Sequence, residues 1–102
     1  MAYSYDAKMR INEKMVNGVL GVSKYGVVFG NESRLLLRVE FDWSAVRIEQ
    51  GIEIIRSYIV FKEKLHYLDI ILADSFVRFY LREDVLNSVK EEIFRICEEE
   101  ER

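Results

Sequence analysis

Four glycines within fourteen residues are the first feature of this chain that could do chemistry, because residues 17–30 read NGVLGVSKYGVVFG. A phosphate-binding loop of the P-loop type needs two glycines five residues apart, followed directly by lysine and then serine or threonine. Gly21 and Gly26 have that spacing, but Val27 and Val28 follow them. We therefore interpret the stretch as two strands around a turn, with glycines at the turn and where a strand bends.

Four basic residues form a second candidate site, this one for an anionic ligand. Arg34 and Arg38 lie four residues apart, and a guanidinium group can grip a phosphate through two parallel hydrogen bonds. Lys24 lies in the glycine-marked turn, and Arg47 follows later in the chain. A binding module for an anionic ligand, a lipid headgroup or a nucleotide, built from Lys24, Arg34, Arg38 and Arg47, stays open as an alternative function.

The charge balance limits the partners of such a module. The 102 residues carry 15 basic and 18 acidic side chains, which gives a net charge of −3. Proteins that bind duplex nucleic acid usually carry a basic excess, since neutralising phosphates supplies most of their affinity. We therefore expect no duplex nucleic acid as a partner, and at most peripheral contact with an anionic membrane. Many charges beside a single glutamine make a composition typical of heat-stable proteins.

Residues for catalysis or metal binding are scarce. His66 is the only histidine and Cys97 the only cysteine, so neither a catalytic triad nor a cysteine zinc site can be assembled from the pattern. We expect no enzyme activity, no cofactor and no metal. A lone cysteine suits a reducing compartment, and no run is apolar enough for a secretory signal or a membrane span. We therefore predict a cytoplasmic protein.

Hydrophobic alternation with a period of two predicts the strands that must carry these residues. Gly51 separates two of the predicted strands, and residues 62–64, Lys-Glu-Lys, are predicted as a charged turn. Residues 1–13 show no clear pattern and are predicted as an N-terminal arm or short helix, ahead of a single domain at 14–102. The seven predicted strands are 14–22, 25–30, 35–41, 46–50, 52–61, 65–73 and 76–81.

The period changes to three and four residues near the end of the chain. The apolar residues that recur are Val85, Leu86, Val89, Ile93, Ile96 and Cys97, with Lys90, Glu91, Glu92 and Arg95 between them. This predicts an amphipathic helix of four to five turns. Because no helix separates the strands, parallel crossovers are excluded. The predicted fold is mainly β: a seven-stranded antiparallel barrel or sandwich capped by a C-terminal amphipathic helix.

The strands carry more apolar surface than a one-layer barrel with one helix can bury. Both faces of 52–61 are apolar, and so are both faces of 76–81. The surplus must meet the helix, the N-terminal arm or another chain. We predict a contact face for a protein partner or a second copy formed by Tyr58, Val60, Phe76 and Tyr80, with Tyr3 and Tyr5 as further candidates.

Three stretches resemble the GRAM and bacterial PH-like branches of the pleckstrin-homology-like superfold, which also has seven strands and a closing helix. NGVLGVSKYGVVFG resembles their glycine-marked first hairpin, DWSAVRIEQG (42–51) an element of the form W-x-x-I-x-x-I-E, and SFVRFYLREDVLNSVKEEIF the last strand and helix. The resemblance covers residues 14–98 and implies a non-catalytic scaffold that binds phosphoinositides, peptides or protein domains. Lipid-binding members carry several basic residues around the first hairpin loop, where this chain offers Lys24 alone. The resemblance therefore favours protein contact or homo-oligomerisation over headgroup binding.

Overall fold

The computed structural model describes residues 3–32, 34–56 and 62–100, which form seven antiparallel strands followed by one α-helix. A short 3₁₀ turn at Trp43–Ala45 lies between the fourth and fifth strands. This mainly β architecture with a C-terminal helix confirms the predicted fold class. The elements are β1 (Tyr3–Ile11), β2 (Lys14–Ser23), β3 (Gly26–Asn31), β4 (Arg34–Glu40), β5 (Arg47–Arg56), β6 (Lys62–Ile71), β7 (Phe76–Leu81) and α1 (Glu83–Glu100).

All seven strands belong to one sheet, in the order β4-β3-β2-β1-β7-β6-β5. Within the described ranges the sheet is not closed, because β4 pairs only with β3 and β5 only with β6. The sheet curls strongly: Phe29 on β3 and Phe79 on β7 bring their ring centroids to 6.0 Å, although three strand spacings would span roughly 14 Å in a flat sheet. The strands therefore form a sandwich rather than a closed barrel.

The core lies between the curled layers and beneath α1. Leu86, Val89, Ile93 and Ile96 are the buried apolar residues of the helix, and their spacing confirms the predicted apolar stripe. α1 contacts β1, β2 and β6, which lie on the two sides of β7 in the sheet order. Glu92 departs from the prediction, since it is buried and forms an ion pair with Arg95. The largest fully buried side chains are Phe29, Phe79, Leu20, Leu68, Ile70, Val22 and Val89.

Residues 3–11 form strand β1 and not the short helix that was one of the two alternatives predicted for 1–13. β1 pairs with β2 over nine continuous positions, from Tyr3 opposite Val22 to Ile11 opposite Lys14. The turn between them is Asn12–Glu13, with φ angles of 50° and 69°, and a type I′ hairpin turn requires positive φ at both positions. Asn-Gly is the usual sequence of such a turn. Because Glu13 stands where the glycine is expected, the turn is not recognised from the sequence.

Gly51 does not divide the chain, because β5 runs through it from Arg47 to Arg56. The ring of Tyr67, directly opposite on β6, lies where a Cβ at Gly51 would stand, so the aromatic ring covers the glycine. Residues 62–64, predicted as a turn, are the start of β6. The predicted number of strands is therefore confirmed, although one strand was divided in two and β1 was missed.

The strand β4 contains an irregularity that alternation alone does not show. Phe29 pairs with Leu37 but Gly30 pairs with Leu35, so Leu36 is an extra residue in the ladder. Such a bulge shifts the faces of the strand. Leu36 and Leu37 both pack against the core, whereas Leu35 is 59% exposed.

Candidate functional site: the exposed edge strand

β5 is an edge strand that presents two apolar side chains to solvent. Ile52 and Ile54 are 54% and 55% exposed. They follow Ile48, which packs against the core, at two-residue steps and therefore on the same face of the strand. The hairpin of β5 and β6 thus continues beyond the core at this end. An unpaired strand edge that carries exposed apolar residues is a surface on which another strand can add.

On the opposite face of the sheet, a charged pair that the sequence reading missed joins β6 to β7. Nε and Nη2 of Arg78 donate to Oδ1 and Oδ2 of Asp69 at 2.7 and 2.9 Å. The guanidinium also stacks on Tyr67, with 3.8 Å between Cζ and the ring centroid. Asp69 is buried, and its hydrogen bonds raise the pKa of Arg78 further above its ordinary value. Because both charges are engaged with each other, the pair fastens β6, the neighbour of the edge strand, to β7.

A second polar contact ties the edge strand to β7 and β1. The hydroxyl of Tyr80 donates to Oε2 of Glu53 at 2.5 Å, and Nη2 of Arg10 lies 3.5 Å from Oε1 of the same carboxylate. Burial, with the hydrogen bond to Glu53 as the next cause, raises the pKa of Tyr80. Because β5, β7 and β1 all contribute, this contact orients β5 at the level of Glu53.

The predicted protein-contact residues do not form one exposed patch. Phe76 is 58% exposed on the outer face of β7, but Tyr80 is only 4% exposed and is engaged with Glu53. Tyr5 is half-buried against the core. Tyr58 and Val60 lie outside the described residues. The signal that could have found Ile52 and Ile54 was present, since both faces of this segment were recognised as apolar.

The predicted anion-binding residues do not converge either. Lys24 and Arg38 lie along one open groove of about 930 Å³ beside the turn between β2 and β3, and Arg34 and Arg47 are not part of its lining. Arg38 pairs with Glu40 at 2.7 Å, while Arg47 pairs with Glu49 at 3.4 Å on the other edge of the sheet. Two of the four positive charges are thus matched by a neighbouring carboxylate.

His66 lies beside a smaller groove that offers no reactive arrangement. Its Nε2 is 3.9 Å from Oε2 of Glu83, and the groove of about 590 Å³ lies near the junction of β1 and β7. Within 3–32, 34–56 and 62–100, no three His, Cys, Asp or Glu side chains are placed to hold a metal ion. The groove is lined by acidic Asp6, Glu63 and Glu83 and by basic Lys8, Lys64 and Arg82.

Comparisons with protein-family models, with curated proteins and with solved structures found no match for this chain. In the described part of the chain, no helix is both long enough and apolar enough to cross a membrane.

Proposed function

We propose that this chain is a non-catalytic binding domain that acts in the cytoplasm through protein–protein contact, including contact between its own copies. The observation that carries the proposal is the edge of β5. This strand has ten residues, is paired on one side only within the described ranges, and exposes Ile52 and Ile54 on one face. Covering these half-exposed side chains would stabilise a complex by about 1 kcal/mol each.

The architecture supports the same proposal. Seven antiparallel strands followed by a packed helix agree with the resemblance to the pleckstrin-homology-like superfold, whose members are binding scaffolds. A fold alone does not determine function, so the distribution of surface groups matters more. The basic residues are dispersed and partly neutralised, whereas the exposed isoleucines lie side by side, and this contrast favours a protein partner over an anionic ligand.

The test is a paired substitution at the edge with a matched control on the other edge. Ile52→Lys combined with Ile54→Lys introduces charges that oppose strand addition, and both side chains are already exposed, so the fold should persist. Leu35→Lys, on β4, changes a side chain of similar exposure. Size-exclusion chromatography with light scattering, on each purified variant and on each variant in an extract of its host, reports the complexes formed.

We expect the wild type and Leu35→Lys to form a complex, with a second copy or with another protein, and the double variant to lose it. A wild type that stays monomeric and captures no protein would overturn the proposal. So would a double variant that keeps the same complex while its circular dichroism and melting temperature match the wild type.

A further inference from the structure

A symmetric pair of identical edge strands must satisfy a geometric condition. When two copies of one strand pair antiparallel about a two-fold axis, a residue that lies a given number of positions after the central residue faces the residue that lies the same number of positions before it in the other copy. Both side chains then point to the same face of the joined sheet. One residue at the centre therefore faces itself. For β5 the candidate centres near its middle are Glu49, Gln50, Gly51, Ile52 and Glu53.

A centre at Gln50 places opposite charges against each other. Arg47 then lies opposite Glu53 of the second copy, and by symmetry this pair occurs twice. Both residues are on the outer face of the sheet, since Arg47 pairs with Glu49 and Glu53 with Tyr80 on that face. The uncharged Gln50 faces itself and can hydrogen-bond its own amide across the axis.

The same centre covers the exposed isoleucines. On the inner face Ile52 lies opposite Ile48 of the second copy, and Ile54 lies opposite Val46. Ile48 and Val46 are partly buried and pack against the core, so each core would extend over the isoleucines of the other copy. Val46 has extended backbone angles of −120° and 157° and directly follows the 3₁₀ turn, so the joined ladder spans residues 46–54.

The other centres are less favourable. A centre at Gly51 sets Glu49 opposite Glu53 twice, and a centre at Glu49 or at Glu53 sets a carboxylate opposite itself. Like charges directly opposite each other destabilise a strand pair. A centre at Ile52 sets Gly51 opposite Glu53 and the amide of Gln50 opposite Ile54, so no cation of the other copy lies opposite the carboxylate.

We propose that the partner at the β5 edge is a second copy of this chain, joined by antiparallel β5–β5 pairing centred on Gln50. This inference rests on the proposed function, because it names the partner of the same edge. The other end of the sheet is not equivalent, since the bulge at Leu36 interrupts the ladder of β4 and bulged edges resist strand addition.

A cysteine scan tests the register. In a Cys97→Ala background, which removes the only native cysteine, single Gln50→Cys, Gly51→Cys and Ile52→Cys variants are oxidised under mild conditions and separated without reducing agent. Residues that face themselves have Cα atoms about 4.5–5.5 Å apart, within the range of a disulfide. In the proposed register the two copies of residue 52 are roughly 13 Å apart along the strand, too far to be bridged.

We expect Gln50→Cys to form the covalent dimer at least tenfold faster than the other two variants. A charge test is independent of the cysteine scan: Arg47→Glu should weaken the dimer roughly tenfold, since two opposite pairs become like-charge pairs, whereas Arg38→Glu on β4 should not change it. Both measurements use sedimentation velocity as the reference for the dimer and circular dichroism to check the fold.

The outcomes separate the two proposals. The proposed register is wrong if the dimer cross-links through Gly51→Cys or Ile52→Cys instead, or if Arg47→Glu does not weaken it. The contact function is not affected by that outcome. A monomer that binds a different protein at the β5 edge overturns self-pairing but not the contact function. A monomer that binds no protein overturns both.

Discussion

The two edges of the sheet differ in how they meet solvent. The β4 edge is seven residues long, contains a bulge at Leu36 and carries the exposed ion pair of Arg38 and Glu40. The β5 edge is ten residues long, pairs with β6 in an uninterrupted register and exposes Ile52 and Ile54. Proteins protect free edges with bulges, charges and short strands. The first edge has all three features, and the second lacks the bulge and the short length.

The polar side-chain contacts near the two edges also differ, since those near β5 are more buried than the one on β4. Behind β5, buried Asp69 is held by two hydrogen bonds from Arg78, and Glu53 by a hydrogen bond from Tyr80. On β4 the corresponding polar contact, between Arg38 and Glu40, is largely exposed. A strand that serves as a docking edge benefits from rigid support, because less conformational entropy is then lost on binding. Three predictions test this contrast.

The largest effect is expected from the charged pair behind β5. Arg78→Met leaves the carboxylate of Asp69 buried without its partner, and we expect a loss of about 3 kcal/mol in the free energy of unfolding. Arg38→Met removes an exposed pair on β4 and should cost no more than about 0.5 kcal/mol. Urea denaturation of both variants measures the difference. Equal losses would show that the two edges are supported alike.

A smaller effect is expected from the glycines beside each edge. Gly26 has a φ of 139°, and a Cβ there would meet the backbone of Val39 and Glu40 on β4. Gly26→Ala should therefore cost about 2 kcal/mol or more, since backbone cannot move aside. At Gly51 the atoms nearest to an added Cβ belong to the side chain of Tyr67, which can move more easily than backbone, so Gly51→Ala should cost about 1 kcal/mol. Thermal unfolding of the two variants ranks them, and the reverse order would contradict this account of β5.

The smallest effect concerns Tyr80, whose pKa in the folded protein is raised above its ordinary value near 10. A raised pKa means that the folded state holds the phenolic proton more tightly than the unfolded state. The resulting stability is fully present below about pH 10 and is lost as the pH rises through the raised pKa. Tyr80→Phe should cost about 1 kcal/mol at neutral pH and should unfold with a weaker pH dependence above about pH 10.

Tyr25→Phe is the matched control for that measurement, since Tyr25 is exposed. Unfolding free energies from denaturant titrations at several alkaline pH values separate the two variants. The free energy of unfolding of Tyr80→Phe could instead fall as steeply above about pH 10 as that of the wild type. In that case the hydrogen bond between Tyr80 and Glu53 does not tie the edge strand to β7.

Much of the fold could be predicted because local patterns agree with it. The alternation in β7 and the three- and four-residue steps of α1 reflect which face of each element meets the core, and both elements are present where expected. The strand β1 could not be predicted, since its turn at Asn12–Glu13 lacks the usual glycine. Gly51 was predicted to separate two strands, but it lies within β5. Its partner across the ladder is Tyr67, sixteen residues away in the chain, and a pattern of neighbouring residues does not show that contact.

The candidate site was predictable only in part. The apolar excess at 52–61 is visible in the sequence and indicated that some surface is left uncovered. Which side chains remain uncovered depends on where the core ends, and that is why Ile48 is half-buried while Ile52 and Ile54 are exposed. Tyr80 shows the same limit, because this aromatic residue, predicted at the surface, is buried and donates a hydrogen bond to Glu53.

The sequence by itself determined the mainly β class, the antiparallel arrangement and the buried stripe of the C-terminal helix, since hydrophobic periodicity is a property of neighbouring residues. Only the tertiary structure decided that the sheet formed by the described residues stays open, that β4 is bulged and that β5 is a long, regular edge. Those features depend on pairing between distant segments, and no local pattern of residue types specifies which strand is left without a neighbour.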